Sequence, residues 1–319
     1  MRVPKVSIII PLYVLEERFF RDLKKFRKLD YPSYEIVVVS DESVDLRGFG
    51  ARLLLTGKKR TGPAEKRDIA LKQARGSICA FIDDDAYPHP GWLKKAVGHF
   101  SKKDIVAVGG PGVTPPEDSY WERVSGLVYE SILCSGGAQY RFLPLPGRFV
   151  KDYPAYNLIV RKSVLKKVGG YGNSFYGGED TFLCMKLIKH GKIYYDPEVL
   201  VYHHRRELFP GLMKQIANIG KHRGYFARVY PETSRRPMYF MPSLAAFGFM
   251  GLLIPAVIAP RLVVVFGLVL VACIVLVFLT VDYRYGWRAR FWASVGVIMV
   301  HLVYGFNFLK GIMTSEMTR

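Results

Sequence analysis

The stretch Ile78-Cys79-Ala80-Phe81-Ile82-Asp83-Asp84-Asp85 decides the reading of this chain. An uninterrupted apolar run of this length suits a strand buried on both faces of a parallel sheet, where polar alternation disappears. The run ends abruptly in three acids. In open α/β sheets, ligands sit beyond the carboxyl ends of the strands, so these carboxylates fall where a ligand is expected. Adjacent carboxylates repel one another. A divalent cation bridged to phosphate, Mg²⁺ or Mn²⁺, would offset that repulsion. Alternation along an extended chain sends Asp83 and Asp85 to one side and Asp84 to the other. A solvated acidic turn is the bland alternative, and the triplet alone does not choose between the two.

The residues before the triplet supply a frame for it. Val6-Ser7-Ile8-Ile9-Ile10 reads as a first buried strand stopped by Pro11, and Glu16–Leu29 places Phe19, Phe20, Leu23 and Phe26 on one helical face. Tyr34–Val39 is a second buried strand, so strand, helix and strand form a βαβ unit with a parallel pair. Asp41 follows that second strand, where an acid often meets the ribose or base of a nucleoside; a turn cap is the competing reading. Gly62–Ala74 reads as a helix opening with Lys66, Arg67 and Asp68, and Ile105–Gly110 as another strand. Pro111–Pro154 is a mixed insertion with one helical piece, Tyr120–Leu133. Thr181–His190 reads as a helix closed by Gly191. Two short strands follow, the second ending in His203-His204-Arg205-Arg206.

Composition bounds the partners. The chain of 319 residues is 50% hydrophobic and carries a net charge of +19, which points to anionic partners: nucleic acid, acidic lipid or a phosphorylated substrate. No nucleic-acid-binding module is recognisable, so that class is set aside. The four cysteines are scattered, with no metal or disulfide spacing. Met1–Lys5 leads into the first strand without the apolar core of a signal peptide. The last quarter differs in kind. Residues 240–259, 262–281 and 291–310 are each nearly free of charge, and each approaches the roughly 20 residues that cross a bilayer. Prolines and glycines weaken the first. Arg284, Arg288 and Arg290 in the second turn, against Arg261 alone in the first, place the second turn in the cytoplasm. Three spans then put the N-terminal domain in the cytoplasm and residues 314–319 outside. The basic, aromatic segment 207–239 suits an amphipathic helix at the headgroup level of the membrane lipids.

A longer set of residues, taken in order, carries a resemblance. It comprises Ile8–Tyr13, Val37–Ser43, Lys66-Arg67-Asp68, Phe81–Asp85 and Gly91-Trp92-Leu93. It continues with Asn157–Lys162, Gly169-Gly170-Tyr171 and Gly177–Thr181. Over Val6–Arg206 the chain resembles the family 2 glycosyltransferases of the GT-A fold. The resemblance implies an α/β fold, a Rossmann-like, mainly parallel sheet flanked by helices, over 1–206. It implies an inverting transfer from a nucleotide diphosphate sugar (a UDP- or GDP-sugar), assisted by Mn²⁺ or Mg²⁺. Carried over position by position, it puts Pro11, Tyr13, Glu16, Asp41, Arg67, Asp83 and Asp84 on the donor. It puts Asp83, Asp85 and His203 on the metal, with His204 as the neighbouring alternative. It makes Asp180 the general base, with Gly178 and Glu179 on the acceptor side. A helix start beside Asp180 is expected to keep its carboxylate ionised, and simple helix capping by Glu179 and Asp180 is the rival reading. Two departures stand out. The family's Pro-x-Tyr-Asn-Glu is Pro11-Leu12-Tyr13-Val14-Leu15-Glu16 here, and its Arg-Asn pair is Arg67-Asp68.

Three functional classes follow. The first is a membrane-anchored glycosyltransferase, multi-pass, acting on a lipid-linked or glycan acceptor. The second is a processive polysaccharide synthase, disfavoured because the place of a Gln-x-x-Arg-Trp motif reads Gln215-Ile216-Ala217-Asn218-Ile219. The third is a non-catalytic membrane scaffold, against which the acids Asp83, Asp85 and Asp180 speak.

Overall fold

The structure is a computed structural model. It describes residues 3–172, 175 and 177–317, apart from the side chains of 249, 252–258 and 260–262. Its strands are β1 (Val6–Pro11), β2 (Tyr34–Ser40), β3 (Ala51–Leu55), β4 (Ile78–Phe81), β5 (Ala86–Pro88), β6 (Ile105–Gly109), β7 (Gly112–Val113), β8 (Arg148–Val150), β9 (Leu158–Arg161), β10 (Lys192–Tyr195) and β11 (Val201–His203). Its helices are α1 (Glu17–Lys25), α2 (Pro63–Gln73), α3 (Trp92–His99), α4 (Tyr120–Glu130), α5 (Ile132–Ser135), α6 (Lys162–Lys167), α7 (Glu179–Leu187), α8 (Pro210–Val229), α9 (Pro231–Ser234), α10 (Pro237–Ile258), α11 (Pro260–Thr280) and α12 (Gly286–Met313). The chain forms two compact units. One runs to Pro115 and includes Tyr140–His204; the other joins Pro116–Gln139 to the chain from Arg205 onward.

The first unit is built on a sheet of order β3-β2-β1-β4-β9-β6-β10-β8. β1, β2, β3 and β4 run parallel, as the apolar runs predict. Alternation sorts their side chains into two cores. Ile8 and Ile10 of β1 and Ile78, Ala80 and Ile82 pack with Phe19 and Leu23 of α1 and Trp92, Leu93 and Ala96 of α3. Ile9, Cys79 and Phe81 face the other way, onto Ala64, Ala70 and Leu71 of α2, Leu165 of α6 and Leu183, Cys184 and Leu187 of α7. Burying one such aliphatic side chain stabilises by about 1.5–3 kcal/mol. The covered faces on both sides are what a continuous apolar strand requires.

The sequence reading left out five strands, β3, β5, β7, β8 and β9. β3 ends in partly exposed residues and pairs on one side only, so its signal is weak. β9 is buried but antiparallel to both β4 and β6. A buried apolar run does not reveal its direction, so this reversal in the middle of the sheet was not readable. The helix expected over Tyr120–Leu133 breaks at Ser131: α4 opens on a capping box between Ser119 and Glu122 and closes at Glu130. The helix expected over Thr181–His190 begins two residues earlier, at Glu179.

In the second unit, α8 and α12 meet backbone to backbone. A Cβ at Gly224 would lie 1.9 Å from the Phe308 carbonyl oxygen, and one at Gly311 2.0 Å from that of Lys221. Gly220-Lys221-His222-Arg223-Gly224 thus acts as a small-residue face in close helix packing. Among the described residues, Val263–Thr280 and Gly286–Met313 are helices long and apolar enough to cross a membrane. The expected span 240–259 falls on α10, where the side chains of 249 and 252–258 lie outside the described residues.

Candidate active site

Three parallel strands deliver their carboxyl ends to one edge of the sheet: β1 with Pro11 and Tyr13 beyond it, β2 with Asp41, and β4 with Asp83–Asp85. β11 pairs antiparallel with β5, and the register sets His203 opposite Ala86, next to the triplet. The result is a group of three. Ligand atoms of Asp83, Asp85 and His203 all lie within 4.8 Å of one another. His203 Nε2 is 3.1 Å from Asp85 Oδ1, its ring lies against Tyr156, and its buried Nδ1 has no partner among the described residues. Two carboxylates and an imidazole form a donor set that fits a divalent cation of the Mg²⁺ or Mn²⁺ kind. The neighbouring histidine turns elsewhere: His204 Nε2 is 2.9 Å from Asp22 Oδ2, with both side chains buried.

Asp84 points away from that group, as alternation requires. Its Oδ2 accepts hydrogen bonds from the amides of Tyr13 (2.6 Å) and Val14 (3.4 Å), so it holds the loop after β1. Burial, then repulsion from Asp85, raise its pKa to about 7 despite those bonds. Tyr13 is half exposed on this loop, its ring facing Lys66 Nζ at 5.9 Å. Pro11 is buried as the last residue of β1, and Glu16 is exposed at the N-cap of α1 without a side-chain capping bond. Asp41 accepts from Thr56 Oγ1 (2.6 Å) and the Thr61 amide (3.1 Å) and pairs with buried Lys66 (3.0 Å). Burial alone would raise its pKa; these bonds outweigh burial and lower it to about 2.

The feature that sequence reasoning did not anticipate is Arg67 as a hub. This buried guanidinium lies 2.7 Å from Asp83, 3.3 Å from Glu179 and 3.6 Å from Asp180, with its Cζ over the Tyr171 ring. One guanidinium therefore joins Asp83 to both acids of α7. The neighbouring Asp68 has a separate task. It accepts the amides of Tyr171 (2.8 Å) and Gly172 (2.9 Å), where Gly170 has φ 65° and a Cβ would sit 2.3 Å from Asp68 Oδ1. The signal for both was the run Lys66-Arg67-Asp68. Adjacent residues on a helix project about 100° apart, so three neighbours serve three different places.

Asp180 stands in the first turn of α7, after Gly177 and Gly178, both with positive φ. Gly178, not a carboxylate, occupies the N-cap, and it makes no side-chain capping bond. Asp180 Oδ2 accepts the Ala155 amide at 3.0 Å, and its buried Oδ1 lacks a hydrogen-bond partner among the described residues. The expectation that the helix start keeps Asp180 ionised needs correction. Burial, and then the charge of Glu179, raise its pKa to about 8 against the pull of Arg67. A helix end shifts a carboxylate by a few tenths to one kcal/mol at an exposed site, whereas desolvation shifts buried acids by several units. Glu179 turns to Arg67 and to the Gly177 amide.

Residues 7–169, just over half of the chain, match the profile described as glycosyl transferase family 2. The chain belongs to glycosyltransferase family 2. Its architecture is the GT-A fold. The chain is similar to the mannosyltransferase PcManGT from Pyrobaculum calidifontis, solved in complex with GDP-Man and Mn²⁺. Identity is 19% and the TM-score 0.63, over 99% of this chain and 89% of that one, a likeness of fold. It is 33% identical to the pre-mycofactocin glycosyltransferase of Mycobacterium tuberculosis over 214 residues, covering 64% of this chain and 43% of that protein. It thus spans less than half of that relative's length. It is 27% identical to the glycosyltransferase AglE of Haloferax volcanii over 237 residues, covering 69% of this chain and 73% of that protein.

Proposed function

We propose that this family 2 enzyme moves a sugar, with inversion, from a UDP- or GDP-sugar to a lipid-linked or membrane-proximal acceptor at the cytoplasmic face of a membrane. The observation that carries the reading is the grouping of Asp83, Asp85 and His203 at the strand ends, joined through Arg67 to Asp180. Asp83, Asp85 and His203 would hold the divalent cation. When bound, it supplies positive charge to the departing nucleoside diphosphate. Tyr13 and Asp41 line the nucleoside side. Asp180 offers its Oδ1, which accepts no hydrogen bond among the described residues, to the acceptor hydroxyl and takes its proton. The left-handed glycines before it present bare backbone, leaving room on the side of Glu179 for the acceptor. Arg67 keeps Asp180 oriented and favours its charged, working form. The apolar C-terminal helices fit an acceptor that the membrane holds in place.

Asp180→Asn tests this. Asn preserves shape and can still accept the Ala155 amide. Transfer should fall by about 10²–10⁴-fold, while binding of a UDP- or GDP-sugar with Mn²⁺, read by thermal shift, stays unchanged. Activity within a few-fold of wild type refutes the base; joint loss of donor binding moves Asp180 to the donor site.

A further inference from the structure

The two helices apolar enough to cross a membrane are not alike. Of the residues in Val263–Thr280 of α11, 6% are buried, against 39% in the apolar stretch of α12. Along α11, Val264, Leu268, Leu276 and Leu279 stand largely exposed, and Val277 is the buried side chain near its end. On the described part of α10, Leu244 and Phe247 are similarly bare, and the sequence from Pro237 to Pro260 is uncharged. Each helix is about 32 Å long, close to the roughly 30 Å hydrocarbon thickness. Ala259 alone separates them, and the two helices pack against one another as a hairpin.

α12 is enclosed along its length by parts of the chain that precede the hairpin. Beside its first turn, Arg284 holds Glu130 at the end of α4, at 2.6 Å. At mid-length a Cβ on Gly296 would meet Val128 and Leu208, and Trp292 stacks edge-on with Trp121 and Phe209. In its last turns, Gly311 abuts the backbone of Lys221, and Gly224 that of Phe308. Just past it, Arg228 of α8 donates to the carbonyl oxygens of Thr314 and Ser315, the latter at 3.1 Å. A helix that crosses a bilayer has its ends on opposite sides. Glu130 and Arg228 would then lie on opposite sides too. Yet no helix between them, among the described residues, is long and apolar enough to cross. A crossing α12 would also carry the basic helix α8 alongside it into hydrocarbon, where charged side chains are costly.

We infer that only the α10–α11 hairpin enters the bilayer, and that α12 lies with α4 and α8 on the side from which the hairpin departs. An even number of crossings then leaves Ser315 on the same side as Glu232, contrary to a three-span arrangement. This goes beyond the transfer chemistry and does not depend on it.

The test uses sealed membrane vesicles of both orientations and an impermeant maleimide, with labelled sites read by peptide mass. Glu232→Cys and Ser315→Cys should label in the same orientation; labelling in opposite orientations overturns the inference. If either variant fails to fold, the native chain with one epitope before Met1 and one after Arg319 decides. Protease should remove both from one vesicle face, and removal from opposite faces overturns it. Native Cys273, exposed on α11, should stay unlabelled in intact membranes and label after detergent. Labelling in intact membranes overturns the insertion of the hairpin.

Discussion

Replacing Arg67 with Gln removes the one guanidinium that three carboxylates share. Asp83, Glu179 and Asp180 lie 2.7, 3.3 and 3.6 Å from it, and it is 3% exposed. Breaking a buried pair by deleting one partner costs about 3–5 kcal/mol, because uncompensated charge remains. Asp83 is 31% exposed and recovers part of its loss from water, so the lower end, about 3 kcal/mol, is expected. For a unit of this size that is a fall in Tm of roughly 6–12 °C. The pH dependence has a definite sign. With Arg67 present the Asp180 pKa is already raised to about 8, and losing the guanidinium pushes it higher. A group whose folded pKa is raised loses stability as pH climbs from the unfolded to the folded value, and the variant goes on losing it after wild type has stopped. The part of the deficit that comes from Asp180 should therefore grow as pH rises above about 8. Scanning fluorimetry of the detergent-solubilised chain, with chelator present, measures it. A Tm within about 2 °C of wild type at every pH would refute the reasoning, since that is under 1 kcal/mol.

With Asp180 as the proposed base, transfer should rise with pH toward about 8, because a base works ionised and the Asp180 pKa is raised to about 8; a kcat/KM profile already flat from pH 5 upward contradicts this. Gly224→Ala should destabilise by about 1–3 kcal/mol, since its Cβ meets the Phe308 carbonyl. Gly248→Ala, with nothing within 4 Å, should leave the Tm unchanged or slightly higher; equal Tm values for the two variants would show that the α8–α12 contact is not close.

The parallel core and the position of the acids were legible because both follow from local pattern. Ile8–Ile10, Val37–Val39 and Ile78–Ile82 are unbroken apolar runs, and only a sheet covered on both faces accepts them. Asp83 and Asp85 follow from the same run by simple alternation. What escaped depends on distance in space rather than in sequence. Nothing near Arg67 announces Glu179 and Asp180, more than a hundred residues later. The raised pKa of Asp180 follows from its enclosure, which a helix-start pattern does not report. What distinguishes α11 from α12 is likewise spatial. Hydropathy registers that both are apolar, while α11 stands bare and α12 is covered by α4 and α8.

The two adjacent histidines have a practical consequence for anyone mapping this protein by mutation. His204 fills a buried place beside Asp22, and its amide donates to the Asp85 carbonyl at 3.0 Å. Truncating it would loosen the segment that carries Asp85 and silence the enzyme from outside its chemistry. A genetic screen would score His203 and His204 alike, and with His203 as the proposed ligand a tally of inactive variants would count one ligand too many. Proton resonances separate them: His204 should keep its carboxylate-bonded signal when cation is added, and His203 should not.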